Sequence, residues 1–397
     1  VMGLAAFAIL RLGMGARGQE FALPHGRLVV TWALLLGAGI ALSLASLGRH
    51  TSRPALVLIV AVLIADLFMA REPMEYNRPQ DSSVYTAQRA LPDYLTGLPT
   101  ARVLSMVGER YQLADEAELK AKLAGQLTSD GITGYLTAMR LREIVAPNTG
   151  MVAGLATVDG YDGGLLPTLR YARLKQALMS GGEYKADQPM RETAGPIPSS
   201  RLLGAFGVGY VLAGAERSAQ DDGWEDAGTV GASVRLLRNR NLLPRAFVVH
   251  RAEVHTDDGD LLAALGHSDL AQVVLLSEDV QFEGVPPDGG ERVKVTADRT
   301  SSVDITVDMN QPGFLVLSDS YYPGWKVYVD GTESQILRAN YTVRAVPLGT
   351  GSHQVRFVYD PVSLKLGVGL SLVGTLLVVA APALVLRRRL SLGRRSI

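Results

Sequence analysis

Four aromatic residues that could stack on a sugar stand close together near the end of the chain: Tyr321, Tyr322, Trp325 and Tyr328. Aromatic faces suit the apolar face of a pyranose, so these residues are candidates for carbohydrate binding. Core filling is the alternative, because aromatic side chains are large apolar groups. In a strand, alternation puts Trp325, Val327 and Val329 on one face, with Lys326 and Tyr328 on the other. The pattern favours a core position for Trp325 and leaves Tyr328 better placed for outside contact.

Three aspartates are candidates for acidic residues of a binding or functional site. Asp159 and Asp162 lie in a glycine-rich segment, 158–164, that reads as a turn. They could bind a cation or a sugar hydroxyl, or they could only cap the helix that follows. Asp66 lies near the end of an apolar run, where an ionisable group is a functional candidate by default. An interfacial carboxylate at the water boundary is the alternative for Asp66.

The search for a catalytic centre gives no assignment. The sequence contains no Walker loop, no GxSxG elbow and no HExxH motif. His250 and His255 are an odd number of residues apart, which in a strand puts them on opposite faces, so no metal site is predicted. The absence of cysteine excludes a disulfide framework and thiolate-ligated metals. Lys326 and Arg344 are interpreted as surface residues that pair with nearby carboxylates. Catalytic residues remain unknown, and no cofactor is evident from the residues.

Charge is balanced overall but unevenly distributed. The 397 residues carry 39 Lys and Arg and 39 Asp and Glu. A nucleic-acid-binding chain would show a basic excess, so no nucleic-acid partner is expected. Nearly all acidic residues lie between Glu72 and Asp360, whereas the two ends of the chain are apolar and mostly basic.

Apolar runs at both ends predict membrane helices. Residues 28–47, 54–70 and 366–386 have the length and composition expected of helical spans. The run at 1–12 is too short and is interpreted as the end of a truncated helix, with a signal peptide as the alternative. The arginines at 387–389 predict a cytoplasmic tail, which places residues 71–360 outside. The expected location is a membrane, with several spans and a large extracytoplasmic domain.

Four regions are predicted between and around these runs. Residues 1–70 would form membrane helices, 71–290 an extracytoplasmic mixed α/β domain, 291–361 a β-sandwich, and 362–397 a transmembrane helix with a basic cytoplasmic tail. The predicted fold class is a membrane protein with α-helical spans, an extracytoplasmic α+β region and a C-terminal Ig-like β-sandwich. Its turns include the Asp-Gly pair at 330–331, a strong hairpin signal.

The aromatic segment also carries a family resemblance. Residues 320–331, Ser-Tyr-Tyr-Pro-Gly-Trp-Lys-Val-Tyr-Val-Asp-Gly, resemble the C-terminal part of YfhO-family bacterial membrane proteins. Further similar landmarks follow in order or lie upstream, at 339–341, 344–347, 353–361, 243–247 and 66–67.

The resemblance implies a multi-span protein of the bacterial cytoplasmic membrane, similar to GT-C glycosyltransferases. Such a protein would work on lipid-linked sugars and envelope glycans, with a polyprenyl-phosphate sugar as donor and the lipid bilayer as partner. In that architecture the acidic catalytic residue lies in an early external loop, which is interpreted as missing here, so Asp66 is not given that role. The alternative is a non-catalytic envelope protein whose β-sandwich binds glycan or a protein partner.

Overall fold

The computed structural model describes residues 83–108, 111–159, 168–179, 190, 195–230, 234–280 and 289–393. All of them fall in one unit of the chain, Ser82–Ile397. Asp66, Asp162 and the predicted spans at 28–47 and 54–70 lie outside the described residues.

Helices in the described residues are mostly short, and polar side chains cap several of them. Thr128 and Thr168 precede α4 and α5, and each hydroxyl accepts a hydrogen bond from a backbone N–H of the first turn. Asp257 caps α7 in the same way. The helices are α1 (Ser83–Thr86), α2 (Ala90–Thr96), α3 (Glu116–Leu123), α4 (Ser129–Glu143), α5 (Leu169–Leu178), α6 (Ser200–Ala205), α7 (Asp258–Leu265) and α8 (Val362–Gly393), with a 3₁₀ helix at Thr149–Ala153.

Strands make up most of the regular structure. They are β1 (Arg102–Met106), β2 (Val208–Gly214), β3 (Trp224–Val230), β4 (Val234–Asn239), β5 (Ala246–Val249), β6 (Arg251–Val254), β7 (Val273–Leu276), β8 (Arg292–Arg299), β9 (Ser302–Met309), β10 (Gly313–Ser320), β11 (Trp325–Val329), β12 (Thr332–Ser334), β13 (Leu337–Ala339), β14 (Val343–Leu348) and β15 (Gly351–Tyr359).

The first sheet has the strand order β1-β2-β4-β3 and is mixed. β1 pairs with β2 in parallel, and the other pairs are antiparallel. Successive side chains of β2 pack into two different cores, because side chains alternate between the two faces of a strand. Leu212 packs with α2 and α4 on one face, whereas Val211 joins α5, α6 and the second sheet on the other. The sheet is therefore buried on both faces.

The second sheet, with the order β5-β10-β14-β13-β7-β6, is also a central layer. In β10, Phe314 and Val316 face the core shared with the first sheet. Leu315 and Leu317 face a separate core shared with the third sheet. A continuous apolar run is what such a doubly buried strand requires.

The third sheet, β12-β11-β15-β9-β8, is antiparallel throughout. Its inner residues include Val327 and Phe357, both fully buried against the second sheet. Asp330 and Gly331 connect β11 to β12, and both have positive φ, 51° and 83°. Positive φ at both central positions is typical of a tight hairpin turn. The predicted Asp-Gly turn is confirmed.

The predicted fold class is wrong for the described part of the chain. Its regular structure is mainly β-sheet, and none of its helices combines the length and apolar content that crossing a bilayer demands. The expected span at 366–386 falls within α8, in which glycine, serine and threonine interrupt the apolar residues up to position 375. The expected Ig-like sandwich at 291–361 is not a separate body either, because the second sheet takes β5, β6 and β7 from residues 246–276. The predicted domain boundaries stay predictions.

Candidate functional site

The aromatic hairpin divides into exposed and packed residues. Tyr321 and Tyr322 are exposed, at 37% and 51%. Trp325 packs partly against the core of the second and third sheets, as alternation predicted. Its ring lies 5.3 Å from that of Tyr359. Tyr328 is half-buried. Sugar binding by these four residues stays a prediction.

Arg344 differs from the sequence interpretation. It was predicted to be a surface residue, but it is only 3% exposed. Its guanidinium lies 4.0 Å from the centre of the Trp325 ring and 5.4 Å from that of Phe357. Stacking on aromatic faces is a common environment for arginine. The cause is its place in β14, a central strand whose neighbours cover it.

Asp159 is a buried carboxylate that joins several segments. It accepts hydrogen bonds from the Met190 backbone N–H at 2.8 Å and the Tyr171 hydroxyl at 3.3 Å. Lys175 Nζ lies 3.6 Å from its Oδ1. Burial raises the pKa of Asp159, and the charge of Lys175 offsets part of that rise. The helix that follows is capped by Thr168, so Asp159 does not cap it. Its binding of a cation or sugar stays a prediction.

The densest ionic arrangement in the described residues surrounds Asp319. Arg102 Nη2 donates to Asp319 Oδ1 at 2.7 Å. Arg245 binds both carboxylate oxygens, through Nε at 3.1 Å and Nη2 at 2.8 Å. Arg344 Nη2 lies 3.4 Å from Oδ2. We call Arg102, Arg245 and Arg344 with Asp319 the arginine cluster.

The backbone positions the cluster by an irregularity at the end of β10. The register between β10 and β14 shifts between Leu317 and Ser320. Such a shift re-aims the side chains within it, here those of Ser318 and Asp319. Arg102 also donates to the Ser318 carbonyl at 2.8 Å and to the Phe206 carbonyl at 2.7 Å. The cluster thereby connects the first sheet to the second.

Positive charge exceeds negative charge in this cluster. Three guanidinium groups meet one buried carboxylate, and the other nearby carboxylate, Asp298, which pairs with Arg245, is 54% exposed. The Nη1 atom of Arg344 is buried, and no atom of the described residues forms a hydrogen bond with it. Burial and the charges of the other two arginines lower the pKa of Arg344 to about 10, although Asp319 opposes this. An additional anion would relieve this crowding.

The cluster opens into a cavity of about 330 Å³. We call this space, lined by Arg102, Arg245, Lys175 and Asp319, the arginine cavity. Tyr171 adds a hydroxyl to the lining, and the rest includes apolar side chains such as Leu174 and Phe206. A concave, partly apolar space with a few convergent polar groups is typical of ligand sites. Guanidinium forks match phosphate and carboxylate geometry, so the cavity suits an anion.

A second cavity, of about 430 Å³, lies between α6, residues 240–243 and the end of α7. It is lined by Arg201, Arg240 and His267 among others. The Arg240 side chain is 62% exposed and lies 3.7 Å from Glu225. Water screens such surface charges, so Arg240 attracts an anion less strongly than a buried guanidinium does.

Sequence reasoning missed the arginine cavity. Its ionic partners come from residues as far apart as Arg102 and Asp319, 217 positions along the chain. One signal was available: Asp319 ends the apolar run of β10, and Arg344 interrupts the apolar β14. Charges of opposite sign in two apolar strands point to a buried ion pair.

Together, these features define a class of protein. The described part of the chain is layered and β-rich, with a cationic cavity at the junction of two sheets and a long helix with exposed apolar side chains after β15. The family model of the bacterial membrane protein YfhO matches residues 290–371, which include the third sheet, the aromatic hairpin and the start of α8. The match confirms the resemblance predicted from the aromatic segment and supports a membrane location. Comparisons with curated proteins and with solved structures found no match.

Proposed function

We propose that this protein is a glycosyltransferase-like envelope membrane protein that acts on lipid-linked sugars, and that its arginine cavity holds the phosphate of such a ligand. The observation that carries the proposal is the excess of buried cationic charge at Asp319, beside an open cavity. The family match supports the membrane setting. A polyprenyl-phosphate sugar as ligand, envelope glycan as acceptor, and an extracytoplasmic position of the cavity are implied by the YfhO resemblance.

The chemistry of the cavity fits a phosphate better than a neutral sugar. Arg102 and Arg245 each keep a planar guanidinium at the lining, whereas the charge of Lys175 is balanced by Asp159. The Tyr171 hydroxyl donates to the Val158 carbonyl and Asp159, so towards a ligand it offers its oxygen as an acceptor for a sugar hydroxyl. These residues bind and orient a ligand. The reacting groups of a transfer reaction are not assigned to them.

Ligand binding to the full chain in detergent tests this proposal. The probes are farnesyl phosphate, farnesol and inorganic phosphate, measured by calorimetry. Farnesyl phosphate should bind, and farnesol should not. Replacing Arg245 by Gln removes a charged donor, which costs about 1.5–3 kcal/mol and weakens binding about 10- to 150-fold.

The matched control is Arg240→Gln, at the second cavity, which should leave the affinity unchanged. Circular dichroism and thermal melting establish that both variants are folded. Equal binding of farnesyl phosphate by folded Arg245→Gln and the unmodified chain would refute the proposal, and so would equal binding of farnesol.

A non-catalytic, glycan-binding envelope protein is the second candidate. Tyr321 and Tyr322 favour it, because both present aromatic faces to solvent. Retention of a neutral oligosaccharide that is lost in Tyr322→Ala, with farnesyl phosphate unbound, would favour this candidate over the first.

A further inference from the structure

The aromatic turn, residues 321–324, is fixed against the start of α8. The backbone N–H of Asp360 donates to the Gly324 carbonyl at 2.8 Å. Gly324 has a φ of +102°, and a Cβ there would lie 2.8 Å from Pro361 Cβ and 3.0 Å from Tyr359 Cε2. Only glycine permits this approach. The turn and the root of the helix therefore form one rigid corner.

The helix that leaves this corner presents apolar side chains on every side. Residues two apart in a helix point to nearly opposite faces. Val362, Leu364, Leu366, Val368 and Leu370 are nonetheless all more than half exposed. A helix that is apolar all round needs an apolar environment to cover it.

Basic groups lie at the start of this helix and beside the aromatic turn. Lys365 lies 2.7 Å from Asp360, and the charge of Lys326 also acts on that carboxylate. The Arg338 guanidinium lies 5.7 Å from the centre of the exposed Tyr321 ring. Tyrosine rings flanked by Lys and Arg, next to an apolar helix, are the arrangement found at the headgroup level of bilayers.

We propose that Tyr321 and Tyr322, together with the first turns of α8, form a surface that lies at the headgroup level of a lipid bilayer. Neither tyrosine lines the arginine cavity or the second cavity, where a small sugar would be enclosed. A projecting turn suits a planar surface better than it suits a single pyranose. This lipid contact is separate from phosphate binding by the arginine cluster, so either can fail alone.

The test uses the absence of cysteine from the natural sequence. Tyr322→Cys and Thr332→Cys each introduce one labelling site into the full chain. Both positions are exposed. Thr332 pairs with Val329, which is about 13 Å along β11 from Trp325 at roughly 3.3 Å per residue. It is therefore a control in the same hairpin but away from the corner.

Each variant is labelled with an environment-sensitive fluorophore and reconstituted in nanodiscs of phosphatidylethanolamine and phosphatidylglycerol. At position 322 we expect a blue-shifted emission and loss of quenching by aqueous iodide. At position 332 we expect neither effect. Equal quenching at the two positions would overturn the proposal.

A second arm separates lipid contact from sugar contact. The same label at position 322 is measured in detergent with and without a neutral oligosaccharide. The emission should not respond to the sugar. Protection that depends on sugar and not on the bilayer would overturn the lipid assignment and favour glycan binding.

Discussion

Asp319 is the residue whose replacement tests the arginine cluster most directly. Asp319→Asn keeps the shape of the side chain but removes the charge that three arginines share. The Asp319 and Arg344 side chains are 12% and 3% exposed, so solvent compensates little of the loss. Removing one partner of a buried ion pair costs about 3–5 kcal/mol. Arg245 is about one-third exposed, which places the expected loss toward the lower end of that range.

The pH dependence supplies an independent check. Burial by itself would raise the pKa of Asp319, but its hydrogen bonds and ion pairs with the arginines outweigh burial, so the pKa is below the ordinary value. Its stabilising contribution is therefore fully present above the unfolded pKa of about 3.9 and is lost as pH falls through the lower folded value. Asp319→Asn should lack this part of the acid-induced loss of stability.

The free energy of unfolding is measured by urea titration of the full chain in detergent, followed by tryptophan fluorescence. Glu225→Gln is the control, because Glu225 is 40% exposed and lies 3.6 Å from Arg238. An exposed pair of this kind contributes less than about 1 kcal/mol. If Asp319→Asn loses no more than Glu225→Gln, or keeps the acid sensitivity of the unmodified chain, the reasoning about the cluster is refuted.

Replacements at three positions test individual turns. Asn340→Ala should lower the free energy of unfolding, measured by urea titration, by about 2–4 kcal/mol. Asn340 has a φ of 45°, and its side chain accepts a hydrogen bond from the buried Leu275 N–H at 2.9 Å. Asn340→Gly should lose less stability than Asn340→Ala, because glycine tolerates the positive φ but cannot make the hydrogen bond. Gly324→Ala should lower the melting temperature, because its Cβ would collide with the start of α8, and an unchanged melting temperature would contradict the rigid corner. The pKa of Asp330 is lowered mainly by a hydrogen bond from the Gln354 backbone N–H, and also by the hydrogen bond with the His353 side chain. The β11–β12 turn should therefore lose amide protection from hydrogen exchange as pH falls through that lowered pKa, and Asp330→Asn should abolish this acid dependence.

Local patterns predicted the strands of the C-terminal part well. The alternation of Trp325, Val327 and Val329 was interpreted as that of a strand, and β11 occupies residues 325–329. Alternation of side chains and the Asp-Gly turn are local signals, so neighbouring residues suffice to read them. The helix α4 was missed, because Gly131, Thr133 and Thr137 weaken its helical pattern and tertiary packing stabilises it instead.

The pairing of strands between sheets and the arginine cluster could not be predicted from local sequence patterns. A prediction that treated residues 291–361 as a separate sandwich had no local signal for the pairing of β10 with β5. The arginine cluster depends on that pairing as well, because Arg245 immediately precedes β5 and Asp319 lies in β10. Long-range pairing determines which charges meet, and a single sequence does not reveal it.

The two proposed surfaces lie close enough together to serve one ligand. Asp319 of the arginine cluster and Tyr322 of the aromatic turn are three residues apart, which limits their Cα separation to about 11 Å. A lipid phosphate carries a charged group directly attached to an apolar chain. If the aromatic turn touches headgroups, a lipid whose phosphate is held by Arg102 and Arg245 could keep its apolar chain in the bilayer. The arrangement thus favours a lipid-linked phosphate over a free one, and a longer polyprenyl phosphate should bind more tightly in nanodiscs than inorganic phosphate does.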